Sequence, residues 1–288
     1  MNTLGEILLG ILLGLIGAFI NNWGVVLQKR QVNIKAPPEA ADKTIGDISQ
    51  FLKDPVWVLG ILMQTIFYLP FLIIAYDLIT ITLLQPISSA GIIFLVIGLI
   101  IFLNEKLRKK SEYLGIGILI FGIFIIAFGM IPVSPTIDTF LSSLMPFWII
   151  FGFILISSLI ALVFIFKSKK IQLMLLGFII GNCYAFVAIS MQIFSLGIFD
   201  LGHPLGLLLL ILGIVGAIAG TVFGIITTQE AFKRGQAINV IPFMQISVNV
   251  IPILAGLYVF GQTITIPFFF WAGVIAIIIG ASMLARFQ

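Results

Sequence analysis

The sequence predicts an all-α, polytopic membrane protein that crosses the bilayer nine times, with its N-terminus outside and its C-terminus in the cytoplasm. Three observations predict it. Of 288 residues 61% are apolar and only 9% are charged, whereas a soluble domain carries about a quarter charged residues and needs them to face water. Nine apolar runs are bounded by charge or proline, and each approaches the ~20 residues that span a ~30 Å hydrocarbon core at 1.5 Å per residue. Finally, all 15 Lys and Arg fall in the connections of one face. This composition excludes a soluble enzyme and a nucleic-acid binder.

In chain order the runs are Leu4 to Leu27, Val56 to Tyr76, Ile81 to Leu103, Tyr113 to Ile131, Phe147 to Phe166, Leu173 to Ile198, Leu205 to Thr228, Ile238 to Phe260 and Pro267 to Ala285. No Lys or Arg precedes the first, which reads as a retained helix rather than a cleaved signal. Lys29, Arg30, Lys35, Lys43 and Lys53 follow span one, and Lys106, Arg108, Lys109 and Lys110 follow span three. Lys167, Lys169 and Lys170 follow span five, Lys233 and Arg234 follow span seven, and Arg286 follows span nine. Basic residues stay in the cytoplasm, so odd-numbered spans end there. Eight or ten spans would scatter the clusters to both faces. The long connection 28–55 breaks at Pro37-Pro38 and then spaces Ile45, Ile48, Phe51 and Leu52 as a short amphipathic helix on the membrane surface.

The chain repeats itself. A shift of 156 residues lays Ala75 on Ala231 and Pro86 on Pro242; one of 158 lays Gly115 on Gly273; one of 164 lays Gly17 on Gly181, Leu27 on Met191 and Gln28 on Gln192. Spans one to four (1–131) thus correspond to spans six to nine (171–288), with a linking helix in 132–170. Five spans separate equivalent points, so the copies are inverted, as in secondary transporters that bind substrate at the midplane between repeats.

Pro86 with Ser88-Ser89-Ala90-Gly91, then Asn104-Glu105-Lys106-Leu107, Leu114-Gly115 and Gly122, resembles the drug/metabolite transporter superfamily, including its EamA-type and small multidrug resistance members. The 4+1+4 arrangement, Asp54-Pro55-Val56-Trp57, and Ala75-Tyr76 are similar to its NIPA branch. The first resemblance implies a solute transporter, the second a magnesium or other divalent cation pathway.

No ionisable residue lies near the centre of a span, so amides and hydroxyls are the expected chemistry. Pro242, Gln245, Asn249 and Pro252 share one helical face of span eight, and Ser89 is the repeat equivalent of Gln245. Candidate substrate-binding residues are Ser89, Gln245 and Asn249, with Asn21, Asn22, Gln64, Tyr68, Asn182 and Tyr184 in second rank. Asp77 is the nearest candidate for a metal, and Gly216, Gly220 and Gly224 for close helix packing. No Gly-rich phosphate loop, zinc-protease motif or nucleophile elbow occurs; neither enzyme activity nor a cofactor is expected. The expectation is a plasma-membrane transporter of a small polar solute working by alternating access, with divalent cation transport and a non-transporting scaffold as alternatives. The bilayer and the solute or ion are the expected partners, a homodimer is allowed, and nucleic acid is not expected.

Overall fold

The computed structural model describes residues 4–35, 49–103, 110–128, 135–165, 171–235, 237–263 and 266–285, and among these it is helical with no strand. Helix α1 (Leu4–Lys35) leads to α2 (Ser49–Leu52), α3 (Pro55–Leu62), a π-helical turn (Met63–Phe67), α4 (Leu69–Ala90), α5 (Ile92–Leu103) and α6 (Lys110–Phe128). Then follow α7 (Ile137–Ser142), α8 (Leu144–Ile165), α9 (Gln172–Phe199), α10 (Gly206–Arg234), α11 (Ala237–Tyr258) and α12 (Pro267–Ala285). Among the described residues five segments are long and apolar enough to cross a membrane: Leu8–Ile34, Pro55–Ile79, Leu144–Ile165, Gln172–Phe199 and Gly206–Arg234. Large apolar side chains such as Trp148, Phe153, Ile156 and Leu159 on α8, and Leu207, Ile211, Ile218 and Phe223 on α10, are exposed. In water such faces would aggregate; in lipid they are at home. The chain is a polytopic membrane protein.

Several element boundaries differ from the sequence expectation, among them the end of α10, which runs past Thr228 to Arg234. Helix α1 continues through Gln28 to Lys35, because nothing before Pro37 breaks it, and this carries Lys29 into the bundle at 1% exposure. Helix α4 runs through residues 77–80, expected as the loop between two spans, since none of Asp77, Leu78, Ile79 and Thr80 forbids helical backbone. The chain nevertheless folds back there. Gly24 lies against Gly60, Gly17 against Tyr68 and Phe71, and Gly10 against Leu78 and Ile79, so residues 60–79 run antiparallel to α1. Gly14 then meets Leu84 and Ile87, Gly91 meets Ala18, and Gly98 meets Val26, so residues 84–98 run parallel to it.

The second half is arranged in the same way. Helix α10 is antiparallel to α9, with Gly197 against Leu210, Gly213 against Phe194, Gly216 against Ser190 and Gly224 against Tyr184. Helix α11 is parallel to α9, Gly177 meeting Val240 and Phe243 and Gly181 meeting Ser247. A Cβ on Gly24 would stand 2.5 Å from the Gly60 carbonyl oxygen, so this backbone approach admits no larger residue. Helix α6 packs along α12, and α8 packs on α9.

The expected surface helix is represented by α2, since Ile45 and Ile48 lie outside the described residues. Leu52 is exposed, but Phe51 is fully buried and stacks on Trp57 at 5.9 Å. Its ring therefore faces protein rather than lipid. Asp54 holds the following turn by accepting from the backbone N–H groups of Val56 (2.9 Å) and Trp57 (3.0 Å) as the N-cap of α3.

Candidate functional site

A cavity of about 150 Å³ lies between the halves, walled by α1, α4 and the π-helical turn on one side and by α9, α10 and α11 on the other. Helix α1 contributes Asn21 and Asn22, and the π turn contributes Gln64. Tyr76, Gln85 and Ser88 come from α4, Tyr184 from α9, Thr221 and Thr228 from α10, and Gln245 from α11, with Tyr68 at the head of α4. Leu72, Val187, Met191, Met244 and Val248 fill the spaces between them. The described lining is thus apolar surface studded with amides, hydroxyls and phenols, and it holds no Asp or Glu. Such a lining matches hydrogen bonds of a solute without offering a full charge.

The π turn explains how Gln64 reaches the cavity. Pro70 has no N–H for the carbonyl of Ile66 four residues back, which accepts from the Tyr68 N–H instead, and just ahead of it the helix widens over Met63–Phe67. π turns of this kind recur at functional sites. Gln64 is 4% exposed; its Nε2 donates to the Tyr184 hydroxyl at 2.9 Å, and its Oε1 accepts from Gln28 Nε2 at 2.7 Å. Gln28 Oε1 in turn accepts from Gln229 Nε2 at 2.7 Å, and Gln229 Oε1 from Trp57 Nε1 at 3.3 Å. Tyr184, Gln64, Gln28, Gln229 and Trp57 form one chain of amides and aromatics that crosses between the halves.

Of the residues singled out from sequence, the structure brings Asn22, Gln64, Tyr184 and Gln245 to one cavity, together with Asn21 and Tyr68. Asn22 Nδ2 donates to its own helix at the Ala18 carbonyl (2.7 Å). Asn249 is not in the lining; it is fully buried, and its Nδ2 donates to the backbone and side-chain oxygens of Gln245 at 2.8 and 3.1 Å. Asn182 faces the other way, donating to Ser157 and Ser158 on α8 at 3.0 and 2.9 Å. The Ser89 side chain lies outside the described part of α4, whereas its neighbour Ser88 lines the cavity. Asp77 is exposed and lines a second cavity, of about 180 Å³, with Asp200. Gly216, Gly220 and Gly224 pack against Ser190, Val187 and Tyr184.

Sequence reasoning missed Tyr76, Thr221 and Thr228, and it assigned Gln28 and Lys29 to a loop. The usable signal was the polar stretch 28–35, which contains no helix breaker. Set against protein-family models, curated proteins and solved structures, the chain finds no match.

Proposed function

We propose that the protein is a transporter of the drug/metabolite type, in which an inverted pair of four-span repeats carries a small neutral or zwitterionic polar solute by alternating access. The observation that carries the reading is the uncharged polar cavity whose wall is drawn from both halves. Pairing of helices supports the repeat. Gly14 against Leu84 and Ile87 has its counterpart, within one residue of the sequence shifts, in Gly177 against Val240 and Phe243. The fold-back inside α4 supports counting residues 55–79 and 81–103 as separate crossings, hence nine in all. By the positive-inside rule the basic residues favour a cytoplasmic connection after α1, a cytoplasmic α10–α11 turn and an outer α4 fold-back.

A ligand that binds the folded protein raises its melting temperature by mass action. Purified protein is screened by thermal shift against amino acids, nucleosides, sugars, organic cations and MgCl₂. A neutral or zwitterionic compound is expected to stabilise it. Stabilisation by MgCl₂ alone would favour a cation pathway instead, and no stabilisation by any class would favour a scaffold.

A further inference from the structure

Just beyond the cavity-lining residues of α1 and of α9, a hydrogen bond ties one half to the backbone of the other half's fold-back. On α1 the cavity-lining residues stop at Val25, and one turn on, Lys29 Nζ donates to the carbonyls of Phe232 (2.7 Å) and Gly235 (2.6 Å) at the C-terminus of α10. A cation there also meets the negative end of the α10 dipole. On α9 the lining stops at Met191, and Gln192 Oε1 accepts the backbone N–H of Ile81 at 3.0 Å, at the fold-back of α4. The repeat shift of 164 lays Gln28, the neighbour of Lys29, on Gln192. The two contacts therefore start within one residue of equivalent positions on α1 and α9 and lie at opposite ends.

Each also adjoins a wall of the cavity. Phe232 lines it while its carbonyl holds Lys29. At the other end Tyr76 lines both this cavity and the one bearing Asp77, Asp200 and Gln192. The Tyr76 hydroxyl donates to the Ala188 carbonyl at 3.4 Å. Moving Tyr76 and Gln192 aside would join the two cavities into one path.

We propose that Gln192 with Tyr76, and Lys29 with the α10 C-terminus, are the two gates of the transport path, each opening as the other stays closed. This rests on the alternating-access reading above and adds which residues hold each end. The test needs no substrate. A Cys183→Ser, Ser88→Cys background places one thiol in the cavity, and sealed vesicles of either orientation are treated with a membrane-impermeant methanethiosulfonate.

Gln192→Leu is expected to speed labelling from the Asp77 and Asp200 face by about threefold or more, the shift that loss of an average interhelical bond gives. It should slow labelling from the opposite face. Lys29→Met should do the reverse, and Lys29→Arg should restore the parent rates. If either first variant fails to fold, Tyr76→Phe carries the same test at one end, and at the other Gln229→Met, which removes the bond tying α10 to Gln28 beside Lys29. Unchanged rates, acceleration from both faces at once, or both variants acting on one face would overturn the proposal. Absence of solute binding by the parent protein would instead sink the transport reading and leave these rates as they are.

Discussion

Gln245 and Asn249 stand one helical turn apart, and the structure divides their work. Gln245 reaches the cavity, whereas Asn249 holds the Gln245 side chain from behind. Gln245→Leu is therefore expected to weaken binding of a stabilising solute about tenfold for each hydrogen bond lost, at ~1.4 kcal/mol, with little change in melting temperature. Asn249→Leu should lower the melting temperature and weaken binding less, because it frees the Gln245 side chain without deleting it. Isothermal titration and melting on the same purified variants check both, and an Asn249→Leu defect in affinity larger than that of Gln245→Leu would contradict the division. Polar residues in apolar runs were legible in the sequence as groups that need partners. Which partner was not. Asn182 could have turned to the cavity, and what turns it away is Ser157-Ser158 on α8, a contact between helices that no spacing within α9 encodes.

At the scale of elements, proline and glycine set the shape. Pro70 offers no N–H to the Ile66 carbonyl, and the adjoining π turn carries Gln64, which bonds Tyr184. Pro70→Ala restores the N–H and lets the turn tighten to α-helix, which rotates Gln64 away from its partner. The expected outcome is weaker solute binding with an equal or higher melting temperature; unchanged binding would show that the π turn has another cause. The long helices were legible because hydrophobic length announces them, and Pro267 opens α12 where the sequence places it. The ends of α1 and α4 were not. Charge at Lys29 and Arg30 suggested a loop, but charge alone does not stop a helix, and the α10 C-terminus supplies the carbonyls that make a buried lysine tolerable. Similarly, the α4 fold-back keeps helical backbone across residues 77–80, and only the partners of Gly10 and Gly14 on α1 reveal that the chain reverses.

For the whole molecule, composition and hydrophobic length made a membrane protein legible in the sequence, whereas the cavity depends on α1, α4, α9, α10 and α11 coming together, which no single run encodes. The proposed nine crossings would put Thr136 and Ser168 on opposite faces. Single cysteines there, in a Cys183→Ser background, are expected to react with an impermeant thiol reagent from outside and from the cytoplasmic face respectively; reaction of both from one face would refute the nine-span arrangement. The central claim is that one solute site opens to the two faces in turn, and exchange tests it most directly. Proteoliposomes are loaded with the unlabelled solute that best stabilises the protein, and uptake of its radiolabelled form is timed. Alternating access predicts faster initial uptake into loaded than into empty vesicles, saturating with concentration, because a carrier returning with solute returns sooner than one returning empty. Uptake that is linear in concentration and indifferent to internal solute, or no uptake at all, would contradict the account.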